Sequence, residues 1–269
     1  MASFAEAWKI TSSWEGPWKP FNKRDVANDP GDYAPEGSFG KANYVGTSWG
    51  LTKSFMRNYR VLSDSTILRI MPMMPKEDAA KHWRETRWVW CQGDQIIDQS
   101  VATLIFDYFV QQDIKAMLNI ADVVLSFYKK PTFNYKQLDI ITLHKYKDIK
   151  PNVTHPEPNG GYYKLSDIGI QLINNAQTQE VLFNAIKAAR IKTLGSKGAT
   201  KPRVKAFNYG NILTQSEYEV KLEKSGKGGG KGLMKRATAN DSGLQSTDAI
   251  KYGLIALGIY KGYQYVRSR

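Results

Sequence analysis

Cysteine and histidine are scarce in this sequence, and their scarcity excludes two kinds of architecture. The single cysteine, Cys91, cannot form an internal disulfide, so the fold does not depend on an oxidising compartment. We expect Cys91 to pack as a small hydrophobe rather than to act as a nucleophile. The three histidines, His82, His144 and His155, lie in different segments without the spacing of metal ligands. We therefore expect no disulfide framework, no metal and no other cofactor.

Long apolar runs are also missing. Glu6 and Lys9 interrupt the first predicted helix, so the chain start does not have the pattern of a secretory signal, and we expect no signal peptide. Near the other end, the uncharged run between Lys251 and Lys261 is shorter than the ~20 apolar residues that a membrane span needs. Residues 249–266 are therefore expected to form an interfacial or docking helix.

Basic residues outnumber acidic residues, and this excess indicates anionic partners. The 269-residue chain has 38 Lys and Arg against 25 Asp and Glu, a net charge of +13. Such a charge favours phosphate-rich cell-wall polymers, nucleic acid or acidic lipid. The sequence has no recognisable nucleic-acid motif, so no specific nucleic-acid partner is expected. The hydrophobic content of 42% suits a globular protein with one sizeable core and a smaller module.

The distribution of apolar residues predicts a mainly helical fold. Residues 17–50 hold most of the early Gly and Pro and are expected to form loops with a small β-hairpin over a cleft. Residues 96–111 have apolar residues at helical spacing and few charges, so they are the candidate for a central buried helix. Other helices are predicted to begin at or near Leu51, Pro75, Ala116, Ser166 and Gln179.

Asp107 is an acidic residue inside the predicted central helix. A buried aspartate either orients a residue in a cleft or ties down an adjoining loop, and the structural role is the commoner one. We therefore expect Asp107 to have a structural role.

Composition divides the chain into three parts. Residues 145–161 hold three prolines and a glycine pair and are the strongest linker candidate. We predict a domain over residues 1–150, a smaller helical module over 151–222, and a basic Gly-rich linker with a terminal amphipathic helix over 223–269. The alternative is that the helices of 151–222 complete the core of one domain. The helix over 179–194 is predicted to face inward through Val181, Leu182, Ala185, Ile186 and Ala189.

Glu15 is the acidic residue that points most directly to chemistry. It falls on a mostly apolar stripe of the first helix, four residues after Thr11, so it should point inward. Gly16 and Pro17 end the helix there. The negative helix end and the loss of water both disfavour the ionised form, so Glu15 is a candidate general acid. The alternative is a salt-bridged glutamate at a frayed helix end.

Several motifs around Glu15 resemble those of one family. Glu15-Gly16 at a helix end, the acidic turn Asn28–Asp32 and the hairpin segment Gly46–Thr52 resemble the glycosyl hydrolase 108 family. These are phage and prophage muramidases with a lysozyme-like fold. Met74–Ala80 and Phe106–Val110 resemble a helix start and a buried helix of that family. The resemblance covers the first half of the chain well and the next quarter loosely.

The chain also departs from the family pattern. Gly16-Pro17-Trp18 replaces the usual second glycine and aromatic residue, and residues 33–45 form an insertion before the hairpin. Leu51 stands where the family usually has isoleucine. These departures fall where the sugar subsites and the second carboxylate are expected.

The resemblance implies a lysozyme-like helical domain that hydrolyses the β-1,4 bond after N-acetylmuramic acid in peptidoglycan. It implies Glu15 as general acid, with Asp32, or alternatively Asp29, as the second carboxylate. It places Thr47 where a hydroxyl can hold a water. Aromatic residues that are candidates for stacking on sugars are Trp18, Tyr44 and Trp49.

The same resemblance sets the expected partners and location. The 151–222 helices resemble the peptidoglycan-binding module that often follows the catalytic domain. The protein is expected in a phage particle, or in the host cytoplasm before release to the cell wall, with attachment to a virion or membrane surface through the C-terminal tail. The alternative function is a virion or envelope structural protein that carries a muramidase-like domain with weak or no activity.

Overall fold

The computed structural model describes residues 1–17, 47–52, 55–56, 63–112, 114–128, 135–145, 161–194 and 201–225. In these ranges the fold is mainly helical with two small antiparallel strand pairs, which confirms the predicted fold class at that level. None of the helices in these ranges is both long and apolar enough to cross a membrane.

The first half of the chain supplies the helices around the N-terminal segment. They are α1 (Phe4–Glu15), α2 (Asp64–Ile70), α3 (Lys76–Trp83), α4 (Gln99–Gln112) and α5 (Ile114–Phe127). Single turns of 3-10 helix occupy Met71–Met73 and Gly93–Gln95, and a π-helical segment, Arg84–Trp88, follows α3. As predicted, α3 begins directly after Pro75. Leu51 itself closes a turn with Ser48, and the described residues just after it, Phe55 and Met56, are helical, with the Met56 N–H donating to the Thr52 carbonyl at 3.1 Å.

The second half adds short strands and further helices. In chain order they are α6 (Gln137–Ile140), β1 (Ile141–Lys145), β2 (Gly161–Leu165), α7 (Asp167–Asn174), α8 (Gln179–Leu194), α9 (Lys201–Ala206), β3 (Phe207–Asn208), β4 (Asn211–Ile212) and α10 (Gln215–Lys224). Strands β1 and β2 are antiparallel, with Ile141 opposite Leu165. The predicted linker falls mostly on residues 146–160, outside the described ranges.

Helix α4 is the centre of the core. Every residue from Val101 to Phe109 is buried, which confirms the predicted central helix. Helices α1, α5 and α8 pack against α4. An apolar helix surrounded by other helices in this way fixes the positions of polar groups that project from it.

Helix α8 occupies the predicted residues, but its buried face differs from the predicted one. Leu182, Phe183 and Ile186 join the same hydrophobic cluster as α4 and α5, whereas Val181 is 43% exposed. The inward prediction for Val181 is therefore wrong, because the buried stripe passes through Phe183 and Arg190 instead. The division after residue 150 stays a prediction.

Candidate functional site

The last turn of α1 carries the candidate acid. Thr11 and Ser12 are buried, and the Glu15 side chain keeps only 18% exposure, as its position on the stripe predicts. Gly16 ends the helix with φ of 71°, and its N–H donates to the carbonyl of Ser12 at 3.1 Å. The carboxylate of Glu15 is thereby placed at the edge of the core with one side open to solvent.

A tight turn lies against this helix end. Ser48 and Leu51 exchange two backbone hydrogen bonds, of 3.1 and 2.8 Å. The two residues between them, Trp49 and Gly50, have φ of 51° and 78°, and positive φ at both central residues is typical of a type I′ turn. The N–H of Trp49 donates to the carbonyl of Gly16 at 2.9 Å, which ties the turn to the end of α1.

Arg203, on α9, binds Glu15. Its Nη1 donates to Oε1 of Glu15 at 2.5 Å, and the Arg203 side chain is 5% exposed. The alternative of a salt-bridged glutamate is therefore the arrangement found at this position. Sequence reasoning missed Arg203 because 188 residues separate the partners and nothing sets this arginine apart from the other cations of a basic chain.

Asp107 anchors the same arginine from inside the core. Arg203 donates to Asp107 through Nε, at 3.1 Å, and through Nη2, and Arg190 donates through Nη2. Thr11 donates its hydroxyl to Oδ1 at 2.8 Å. Burial raises the pKa of Asp107, but the charges of Arg203 and Arg190 outweigh burial, so its pKa is lowered.

The pairing of Arg203 with Asp107 and Glu15 raises the pKa of its guanidinium. Burial by itself lowers the pKa of Arg203, but the carboxylates of Asp107 and Glu15 more than offset burial, so the pKa is raised above its ordinary value. The guanidinium is therefore charged at every pH at which the protein is folded.

Arg190 completes a buried network that is neutral as a whole. Its side chain is fully buried, with the guanidinium over the rings of Phe207 and Tyr108. When Glu15 is ionised, the two carboxylates of Glu15 and Asp107 meet two guanidiniums and the formal charges cancel. Charge cancellation is what allows these groups to stay away from water, since Nε and Nη1 of Arg190 are buried without a hydrogen-bond partner among the described residues.

Two of the other predicted site residues lie near this helix end. Thr47 is half-buried and directly precedes the turn. The indole N–H of Trp49 donates to the carbonyl of Met74 at 3.1 Å, and the Trp49 carbonyl accepts from the indole of Trp83 at 2.9 Å. Trp49 is half-buried, with the Lys76 ammonium 5.7 Å from the centre of its ring. Trp49 is thus held at both its indole N–H and its backbone carbonyl.

The remaining predicted site residues are not placed. Those that lie outside the described residues are Asp29, Asp32, Trp18 and Tyr44. The structure therefore brings Glu15 together with the turn that carries Thr47 and Trp49, and it leaves the second carboxylate and two of the stacking aromatics as predictions.

A separate cavity lies at another part of the surface. It has a volume of about 520 Å³ and is lined by residues 88, 89 and 92–95, by Thr142 and His144 of β1, and by residues 164–167. Within the described ranges, none of its lining residues belongs to the network of Glu15, Arg203 and Asp107. No group of three His, Cys, Asp or Glu side chains that could hold a metal ion occurs in the part of the chain that the structure describes.

No protein-family model, no curated protein and no solved structure matches this chain. The geometry around Glu15 is therefore the feature that bears on function. The Glu15 carboxylate is held by Arg203 through one oxygen and is partly open to solvent, so a bound molecule can contact it at this helix end.

Proposed function

We propose that the protein is a peptidoglycan hydrolase that cleaves the β-1,4 linkage between N-acetylmuramic acid and N-acetylglucosamine by general acid catalysis. The observation that carries the proposal is the placement of Glu15: a partly exposed acid at a helix end, against a tight turn and held by a buried arginine. The lysozyme-like fold and the glycosyl hydrolase 108 relationship expected from the sequence are part of this proposal.

Glu15 gives the proton to the leaving oxygen of the glycosidic bond in this scheme. Because Arg203 donates to Oε1, the other oxygen, Oε2, is the one that can carry a transferable proton. Rupture of the bond produces positive charge on the sugar ring, which needs a carboxylate or an activated water on the opposite face. We assign that second function to Asp32, with Asp29 as the alternative.

The turn supplies the remaining proposed contacts. Thr47 would hold a water near the anomeric carbon, and the Trp49 ring would stack on a sugar. Trp18 and Tyr44 are the other proposed stacking residues. The net charge of +13 suits a wall rich in anionic polymers, and the scheme needs no cofactor.

Peptidoglycan is therefore the proposed partner, reached after release from a phage particle or the host cytoplasm. Residues 226–269, which carry most of the predicted attachment tail, lie outside the described ranges. Attachment to a virion or membrane surface remains part of the proposal.

One observation favours a second candidate function. A glutamate bound to a buried arginine is also what a purely structural ion pair looks like, and such pairs are retained without catalysis. A virion or envelope structural protein with a muramidase-like domain of weak or no activity would keep this network intact.

A peptidoglycan zymogram with wild type, Glu15→Gln and Glu6→Gln tests the proposal. Glu6 lies on the same helix but is exposed, so Glu6→Gln is the matched control. We expect clearing by wild type and Glu6→Gln and none by Glu15→Gln, with circular dichroism showing that all three are folded. Equal clearing by Glu15→Gln would exclude the mechanism. The absence of clearing by every folded protein would favour the structural function.

A further inference from the structure

We propose that Asp107 is a positioning residue for the Glu15 site, acting through Arg203; this inference rests on the proposed hydrolase. The side chains form a series from core to surface, with exposures of 0% for Asp107, 5% for Arg203 and 18% for Glu15. Asp107 therefore does not reach a substrate. Of the groups that Asp107 binds, the Arg203 guanidinium is the one that contacts the Glu15 carboxylate.

The guanidinium uses different edges for its two partners. Nε and Nη2 form a forked pair with the two oxygens of Asp107, and the remaining nitrogen, Nη1, meets Glu15. A forked pair fixes the plane of a guanidinium as well as its position, whereas a single hydrogen bond leaves it free to swing. The direction of Nη1, and so the place of the Glu15 carboxylate, is set by Asp107.

Asp107 is itself held from several elements. Oδ1 accepts from Thr11 on α1 and from Arg203 on α9, and Oδ2 accepts from Arg190 on α8 and from Arg203. Four donors fill the lone-pair positions that an ionised carboxylate offers. Because the donors come from three different helices, α1, α8 and α9, turning the carboxylate would break hydrogen bonds to more than one of them.

Arg190 gives this arrangement its charge balance. It lies between Asp107 and the Gln111 side chain, donating to both through Nη2. Without the Asp107 carboxylate, the positive charges of Arg190 and Arg203 would lie next to each other in the core with no negative charge between them. Asp107 therefore does two things for Arg203: it orients the guanidinium and it separates its charge from that of Arg190.

The test compares three substitutions in the full chain. Asp107→Asn removes the charge at nearly constant shape. Asp107→Asn/Arg190→Gln removes one charge of each sign, which keeps the core neutral if the single variant does not fold. Tyr108→Phe, at the next position of α4, is the matched control, because it deletes a buried hydroxyl bonded to Thr193 and Asn119 but keeps the ring beside Arg190.

We expect kcat for wall hydrolysis, per folded molecule, to fall roughly 10- to 100-fold in both Asp107 variants with KM within about twofold, since misplacing a reacting group by about an ångström has effects of this size. Tyr108→Phe should keep the wild-type kcat. A merely structural Asp107 would instead give folded variants with wild-type kcat, and that result would overturn the inference.

Nitrogen NMR of the arginine side chains provides a readout that does not depend on activity. A guanidinium fixed at both edges gives separate Nη proton signals because rotation about its C–N bonds is slow. We expect separate signals for Arg203 in wild type and Tyr108→Phe, and merged signals in the Asp107 variants. Separate Arg203 signals in a folded Asp107 variant would contradict the positioning role. If wild type shows the fixed guanidinium but no wall hydrolysis, the proposed function fails while the orientation of Arg203 by Asp107 stands.

Discussion

The backbone of Gly50 lies so close to the carboxylate of Glu15 that no side chain fits between them. A Cβ atom at Gly50 would be 2.9 Å from both Cδ and Oε2 of Glu15, which is closer than real Cβ contacts come. Gly50 also has φ of +78°, where residues with a Cβ are strained. The tight turn and the end of α1 thus form one unit around the acid.

The first prediction concerns this contact. Gly50→Ala should displace the Glu15 carboxylate and remove most of the clearing activity on peptidoglycan. The matched control is Gly210→Ala, because Gly210 has a similar φ of +70° but nothing within 4 Å of its added Cβ. Both variants should lose about 1–2 kcal/mol of unfolding free energy from backbone strain. Clearing should be lost only in Gly50→Ala, measured by zymogram with urea unfolding alongside. Equal activity of the two variants would mean that the turn does not position the acid.

The second prediction concerns the shape of the Arg203 side chain. Arg203→Lys keeps the positive charge, but a lysine ammonium cannot form the forked pair with Asp107 and also reach Glu15. We expect the unfolding free energy to fall by about 1–3 kcal/mol, because buried acceptors lose donors, and clearing to weaken. Lys205→Arg, the reverse exchange at an exposed position of the same helix, should change neither. Wild-type stability of Arg203→Lys would show that charge alone suffices.

The third prediction is a loss of stability in acid. The folded pKa of Asp107 lies below its unfolded value, so the unfolded chain binds more protons between the two values. The stabilisation from Asp107 is complete above pH of about 4, the ordinary range of an aspartate, and is lost as pH falls through the lowered folded pKa. Urea unfolding at a series of pH values from 6 to 2 measures this loss of unfolding free energy. Asp107→Asn/Arg190→Gln should show a shallower decline over this range, and an identical decline would exclude Asp107 as a contributor.

The sequence predicts those parts of the fold that depend on local patterns. Helix α8 occupies the predicted residues, and α3 starts after Pro75, because apolar spacing and terminal signals act over a few residues. The inward direction of Glu15 follows from the same spacing. The turn at Ser48–Leu51 falls within the hairpin segment that the resemblance implies, but the positive φ of Trp49, a residue other than glycine, leaves no local signal in the sequence.

The partners of Glu15 could not be predicted in the same way. Arg203 and Arg190 look like ordinary cations in a chain with 38 Lys and Arg, and the pairs they form span 188 and 83 residues. Asp107 offered the only hint, since a carboxylate inside an apolar helix requires compensating donors. Which donors supply that compensation depends on how α8 and α9 pack, and packing is not encoded locally.

The fourth prediction concerns the reactivity of Cys91. The thiol is fully buried and donates to the carbonyl of Trp88 at 3.3 Å, and burial raises the pKa of Cys91. We expect it to react with a thiol reagent only when the chain opens. Val89→Cys/Cys91→Ala provides the comparison, because Val89 is 47% exposed. Native Cys91 should react at least about a hundredfold more slowly than the cysteine placed at residue 89, which corresponds to an opening free energy of about 2.7 kcal/mol or more. Similar rates would contradict the buried position.

The fifth prediction tests whether residues 151–222 unfold separately. Gly169 of α7 packs on α6, and a Cβ there would lie 2.4 Å from the carbonyl oxygen of Ile140, so Gly169→Ala must shift backbone at a cost of about 1–3 kcal/mol. All seven tryptophans lie within residues 8–90, and Trp14 and Trp90 contact Tyr218 and Tyr162, so tryptophan fluorescence reports on the first part of the chain and on its contacts with residues 151–222. Because α8 shares its hydrophobic cluster with α4 and α5, we expect Gly169→Ala to lower the midpoint seen by fluorescence as much as that seen by circular dichroism.

Ile168→Ala, at the exposed neighbouring position, should move neither midpoint appreciably. An unchanged fluorescence midpoint in Gly169→Ala would instead indicate an independent module after residue 150.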